Sequence, residues 1–268
     1  MQKRKILRWG STALILYLGI GLLLYHFQEK LLFRPVVTDK NHRYELGHPY
    51  AEVNLAYNAS SNINIIQFRH DGDSLKGVVL YFHGNRRNIS WYARFAPYYT
   101  CNGYEVWMID YPGYGKSTGT FSEKKIYEWA LLLYKLARTR FQPNQIILYG
   151  KSMGTGIASQ LASVRDCRRL ILETPYYDFP SVLRPYLFLY PLDHILHYQF
   201  PTYRYLPKVT APITLLHGTA DGIVRYGNAV DLMPLLKKGD ELVTVAGGSH
   251  NNLYDYPMVS SKIDSLLQ

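Results

Sequence analysis

A serine with glycine two residues to either side, Gly150-Lys151-Ser152-Met153-Gly154, is the pattern a hydroxyl nucleophile needs when it rides on a tight turn between a strand and a helix. Such a turn strains the serine backbone and presses its flanks against neighbouring chain, so both flanking positions must be small. The context fits: Gln145 to Tyr149 reads as a buried strand and Thr155 to Ala162 as a helix. A serine hydroxyl is a poor nucleophile until a base takes its proton, so a histidine and an acid to orient it are required as well. Asp221 follows the apolar run Ile213 to Leu216 through His217-Gly-Thr-Ala, and His250 follows Leu242 to Val245 through Ala246-Gly-Gly-Ser249. The order Ser, Asp, His is one in which this constellation occurs. Asp193 and Asp255 are reserve candidates for the acid. The oxyanion of a tetrahedral intermediate also needs donors. We expect the backbone N–H of Met153 to be one and that of Asn85, in His83-Gly-Asn85-Arg86, to be the other. His83 and His217 each precede a glycine at a strand end and read as structural.

The elements that must carry these residues are visible as apolar runs. Gly77–Phe82, Val106–Ile109, Gln145–Tyr149, Leu170–Leu172, Ile213–Leu216 and Leu242–Val245 are rich in Val, Ile and Leu, as strands buried on both faces are. The segments between them, such as Glu123–Arg140 and Gly156–Val164, are long enough for helical crossovers. Ahead of them, Ala51–Tyr57 and Ile63–Phe68 flank a turn-forming Asn58-Ala-Ser-Ser-Asn62 and read as an antiparallel hairpin. The expected fold class is therefore α/β, a mostly parallel central sheet flanked by helices.

From Trp9 to Gln28 the chain carries no formal charge, which at about 1.5 Å per residue is enough helix to cross a bilayer once. Lys3, Arg4, Lys5 and Arg8 precede it, and the positive-inside rule then keeps the N-terminus cytoplasmic and sends the rest across the membrane. No small-x-small cleavage site follows the apolar run, so the segment reads as an uncleaved anchor. The expected organisation is an anchor over residues 1–28, a linker over 29–50 and a catalytic domain over 51–268 with a lid at about 176–206. The formal charge of +10 owes four units to that basic N-terminus, and the remaining Lys and Arg form no stripe interleaved with stacking aromatics, so nucleic acid is not an expected partner. Cys101 and Cys167 have no metal-ligand spacing, His194 and His197 lack an acidic partner, and neither metal nor cofactor is expected. Asn58 and Asn88 match the glycan acceptor pattern, though a glycan at Asn88 would crowd the loop at Asn85.

Five blocks, His83-Gly-Asn85, Asp110-Tyr-Pro-Gly-Tyr-Gly-Lys-Ser117, Gly150-Lys-Ser-Met-Gly154, His217-Gly-Thr-Ala-Asp-Gly-Ile-Val224 and Gly247-Gly-Ser-His250, resemble the α/β-hydrolase superfamily and its serine-aminopeptidase-like branch, which includes single-pass membrane-anchored proteins. The resemblance implies a triad of Ser152, Asp221 and His250 with an oxyanion loop at Asn85. Pro112 and Arg86-Arg87 depart from the pattern and touch only the substrate side. The implied activity is hydrolysis of an acyl ester or thioester; a peptidase acting on short peptides and a non-catalytic binding protein on the same fold are the alternatives. Ten aromatic rings between Tyr176 and Tyr205, against 15% aromatic residues overall, lead us to expect a lid that lines a pocket for a lipid-like acyl substrate.

Overall fold

A computed structural model describes every residue except Met1, Asp71 and Asp73, so the first residue of the expected anchor lies outside the description. Ten strands appear in chain order: β1 (Arg34–Pro35), β2 (Tyr50–Asn58), β3 (Ser61–Phe68), β4 (Gly77–Phe82), β5 (Arg86–Arg87), β6 (Tyr104–Ile109), β7 (Ile146–Lys151), β8 (Arg169–Glu173), β9 (Ile213–Gly218) and β10 (Glu241–Val245). Eight form one sheet in the order β10-β9-β8-β7-β4-β6-β3-β2. The leading hairpin β2–β3 is antiparallel and β3 joins β6 antiparallel, whereas the ladder from β6 through β4 to β10 is parallel. This is the α/β-hydrolase arrangement, and every apolar run named above is a strand in it.

Continuous apolar sequence produces the sheet because each face is covered. On β4, Val78, Leu80 and Phe82 join a core shared with the Glu123–Ala137 and Met153–Ala162 helices, while Val79 and Tyr81 join a second core under Tyr99, Val259 and Ile263. All residues of β4, β6, β7 and β9 are buried. The helix expected over Glu123–Arg140 stops at Ala137, and the helix behind Ser152 begins at Met153, two residues ahead of the expected Thr155, and ends as expected at Ala162. The lid is made of three short helices, Phe179–Leu183, Leu192–Ile195 and Thr202–Tyr205.

The N-terminal helix runs from Gln2 to Leu32 with its apolar side chains exposed down to Gln28. Gln28 is buried because its side-chain amide bonds to the lid, donating to the Ile195 carbonyl (3.2 Å) and accepting from the His197 N–H (2.7 Å). The stretch read as a linker over 29–50 is fastened along its length. Phe33 packs between Phe121 and Tyr198, Tyr44 and Leu46 enter the second core, and Asn88 Nδ2 donates to the Val36 carbonyl at 3.1 Å. Its polar composition conceals three buried side chains separated by turns. Asn88 is consequently buried, with its side chain also capping the Ile89–Tyr92 helix, and it offers no room for a glycan.

A fragment beginning at residue 29 is therefore expected to melt close to the full chain, whereas one beginning at residue 51 loses Phe33, Tyr44 and Leu46. Removing one buried aromatic costs roughly 3–5 kcal/mol, so the shorter fragment should melt at least ~10 °C lower in a thermal scan. Equal melting temperatures would show that the stretch is a free tether.

Candidate active site

The sheet delivers its chemistry at the carboxyl ends of β4, β7, β9 and β10. Ser152 leaves β7 at φ 51°, ψ −119°, in the left-handed half of backbone space that a serine seldom occupies. A Cβ at Gly150 would overlap the Gly154 carbonyl, and one at Gly154 would overlap that of Phe82, which is why the flanks of the turn are glycine. Ser152 Oγ lies 3.0 Å from His250 Nε2, and His250 Nδ1 lies 2.8 Å from Asp221 Oδ2. The structure thus brings Ser152, His250 and Asp221 into one hydrogen-bonded line and leaves both reserve acids out. Asp193 pairs instead with Arg184 on the exposed lid.

Asp221 is held as an anion. Burial pushes its carboxyl upward, but hydrogen bonds from His217, His250 and the N–H of Ile223 outweigh this and hold it well below the usual carboxylate range. An ionised carboxylate only accepts, so His250 Nδ1 must donate and Nε2 of the neutral ring is left to accept from Ser152 Oγ–H. That is the tautomer a general base needs.

Ser152 sits in a cavity of about 380 Å³ whose lining includes Asn85 and Met153. Met153 opens its helix, so its N–H has no carbonyl one turn earlier to bond. Asn85 is fixed by its side chain, which donates to the Leu32 carbonyl, and by Tyr114, which donates to its carbonyl at 2.8 Å. A Cβ at Gly84 would run into the Tyr92 hydroxyl, so this loop too needs glycine. Leu31, Leu32, Val182, Leu183 and Ile223 supply apolar wall. Of the ten lid rings only Tyr176 and Phe179 line the cavity. Tyr198 and Phe200 are buried beneath the lid, Tyr177 stacks on Tyr203, and Tyr186 and Phe188 are exposed. The aromatic crowding expected to form the pocket therefore serves chiefly to pack the lid, and aliphatic groups from the end of the N-terminal helix take its place. A larger, open groove of about 820 Å³ beside Glu123 and Tyr127 includes none of the reacting residues.

The sequence profile of the serine aminopeptidase (S33) hydrolases matches residues 73–206, half of the chain. The chain belongs to this family of α/β hydrolases. Alpha/beta hydrolase domain-containing protein 17C of Xenopus tropicalis is 30% identical over 201 residues, covering 71% of this chain and 61% of the relative. The mouse protein of that name is 29% identical over 227 residues, covering 81% and 67%. The chain thus spans about two thirds of the length of these relatives. In three dimensions it resembles an esterase of Pyrococcus furiosus (TM-score 0.68, 18% identity, 88% of this chain and 98% of that one). It also resembles a soluble variant of the Saccharomyces cerevisiae monoglyceride lipase (TM-score 0.63, 16% identity, 85% and 98%). At these identities the structural likeness speaks for the fold.

Two further groups support the reacting residues, one read as structural from the sequence and one that escaped that reading. His217, read as structural, is fully buried with Nε2 at 2.9 Å from the Val224 carbonyl and 3.4 Å from Asp221 Oδ2, so it braces the acid. Lys151 is 1% exposed and paired with Glu173, and its Nζ also donates to the His250 carbonyl at 3.1 Å. Tyr149 donates to the other Glu173 oxygen at 2.7 Å. The pair joins the turn before Ser152 to the loop that carries His250. A signal existed: a lysine at the end of a strand flanked by apolar runs in a parallel sheet is a candidate for burial, and a buried ammonium requires an acid.

Asp221→Asn should leave the protein folded and cut turnover by about four orders of magnitude, because the amide favours the wrong imidazole tautomer. The same variant tests the charge. A carboxyl whose pKa is depressed by folding contributes stability above about pH 4 and loses it as the pH falls below that. The wild type should therefore lose melting temperature more steeply than Asp221→Asn between about pH 5 and 2; parallel acid limbs would mean that Asp221 is not held as an anion.

Proposed function

We propose that this chain is a membrane-anchored serine hydrolase that cleaves acyl esters or thioesters through an acyl-enzyme. The observation that carries the reading is the line Ser152–His250–Asp221 opening into a cavity with one aliphatic wall. In this reading Ser152 Oγ attacks the acyl carbonyl as His250 Nε2 takes its proton, and the oxyanion is met by the N–H groups of Met153 and Asn85. The bond to the alcohol or thiol breaks and that group leaves with the proton from His250. Water, deprotonated by the same nitrogen, then releases the acid and restores Ser152. An aminopeptidase needs an acidic group for the substrate's ammonium, and among the described residues no Asp or Glu lines the cavity, which favours ester over peptide.

The anchor reading is supported by the Gln2–Leu32 helix, which is long and apolar enough to cross a membrane. Its basic N-terminal turn favours a cytoplasmic N-terminus and an extracytoplasmic catalytic domain. Tyr17, in the middle of the apolar run, stacks on Tyr190 of the lid at 4.7 Å and donates to the Leu189 carbonyl at 3.0 Å. The lid tip, with Tyr186, Phe188 and Leu189 exposed, accordingly lies beside the part of the helix that a bilayer would surround. Such a placement suits a substrate delivered from the membrane.

For p-nitrophenyl esters from acetate to decanoate, each buried methylene should add about 0.8 kcal/mol of transition-state binding. The expected profile of kcat/KM rises about fourfold per carbon before levelling. A profile highest at acetate and falling with every added carbon would remove the lipid-like substrate. A reporter active only beyond the membrane, fused after Gln268, should be active; a silent one would reverse the orientation.

A further inference from the structure

The cavity that holds Ser152 has a mouth of one sign. Arg34, Arg86 and Arg87 line it and all three are exposed, while among the described residues it has no acidic lining. They are gathered by a piece of structure outside the reacting residues: β1 and β5 pair in parallel, setting Arg34 beside Arg86 and Pro35 beside Arg87. Arg87 holds φ at 73°, a conformation that a non-glycine residue keeps only where its surroundings impose it.

The main chain makes the ladder, and the guanidiniums take no part in it. Among the described residues none of the three donates to a protein acceptor or pairs with a carboxylate, whereas Arg140 pairs with Glu105 and Arg184 with Asp193. Like charges set directly across a ladder repel, so three unpaired guanidiniums on a two-residue ladder leave an electrostatic cost that a bound anion would relieve. The position narrows the choice of anion. Arg86 and Arg87 follow directly on Asn85, the expected oxyanion donor, so an anion here would sit close to the reacting carbonyl. Arg34 stands two residues beyond the end of the Gln2–Leu32 helix, where a bilayer gives way to its headgroups. The aliphatic wall formed by Leu31, Leu32 and Val182 belongs to the same cavity.

We propose that this arginine collar is the headgroup subsite of the hydrolase, and that its substrate is an acyl ester whose alcohol portion carries a phosphate, as in an acylglycerol phosphate. The proposal rests on the acyl-hydrolase reading above. The phosphate is held by Arg34, Arg86 and Arg87 and the acyl chain by the aliphatic wall. Hydrolysis consumes one water, breaks the acyl C–O bond and yields a fatty acid and glycerol phosphate, with no other reactant.

Two measurements on the full-length protein in nanodiscs of zwitterionic lipid test it. The first is calorimetric binding of octyl phosphate, octanol and inorganic phosphate, each corrected with empty discs. Octyl phosphate should bind roughly ten- to a hundredfold more tightly than octanol, the sum of three exposed charge pairs, and more tightly than inorganic phosphate. In R34Q/R86Q/R87Q the advantage over octanol should vanish, and in R34K/R86K/R87K part of it should survive. The second is kcat/KM for oleoyl glycerol phosphate relative to oleoyl glycerol, a ratio expected to exceed ten and to collapse toward one in the glutamine variant. Equal binding of octyl phosphate and octanol, or a ratio of one in the wild type, overturns the collar. Inorganic phosphate binding as tightly as octyl phosphate overturns the amphiphile and leaves a plain anion site. Arginine-dependent binding with neither ester cleaved overturns the assignment as a substrate subsite and the hydrolase reading together, and leaves an anionic-lipid contact.

Discussion

The backbone of Ser152 is held where an isolated serine would not stay, and much of the molecule serves to hold it. Its N–H donates to the Glu173 carbonyl at 2.9 Å, and its own carbonyl accepts from both the N–H (2.8 Å) and the hydroxyl (2.6 Å) of Thr155. These bonds lock the turn between a strand and a helix that are themselves buried almost without exception. Strain of this kind costs of order 1–3 kcal/mol and persists only where the surroundings over-determine it. The return is a hydroxyl raised clear of the sheet end, within reach of the His250 imidazole.

Lys151 and Glu173 extend that constraint from the nucleophile to the base. Each ends its strand, and the register between β7 and β8 makes them neighbours. Taking both charges out of water is expensive, and the expense is tolerable because the bonds around them are filled: Lys151 reaches the His250 carbonyl, and Glu173 is shared with Tyr149, which in turn meets Tyr254 at 3.0 Å. The loop carrying His250 is thereby tied to the turn carrying Ser152 through a buried network. At the other side of the cavity the N-terminal helix does more than tether. Leu31 and Leu32 form wall, the Leu32 carbonyl accepts from the Asn85 side chain, and Gln28 and Tyr17 bind the lid. The N-terminal helix, the lid and the Asn85 loop are consequently one connected structure.

Much of this was legible in the sequence because the signals are local. Strands buried on both faces must be continuous runs of Val, Ile and Leu, and a serine on a tight turn must have glycine at its flanks. A histidine and an acid placed after later strands of one parallel sheet arrive at the same end of it. What escaped the sequence depends on register and on packing between distant segments. The pairing of Lys151 with Glu173 spans 22 residues and follows from the alignment of two strands. The rings of the lid looked like pocket lining, and most of them turned inward or outward according to packing that composition does not encode. The polar look of residues 29–50 hid Phe33, Tyr44 and Leu46, each buried against partners far along the chain. Arg34 gained meaning only once β1 set it against β5.

The central claim is that Ser152 is the activated nucleophile of an acyl hydrolase, and covalent capture tests it most directly. The full-length protein, held in neutral detergent, is treated with an alkyl fluorophosphonate, digested and mapped by mass spectrometry. The account predicts a single phosphonyl adduct on the peptide containing Ser152, absent from Ser152→Ala, whose melting temperature stays within a degree or so because one hydroxyl and no core volume is lost. An adduct on another residue, or none on a folded wild-type protein, would contradict it.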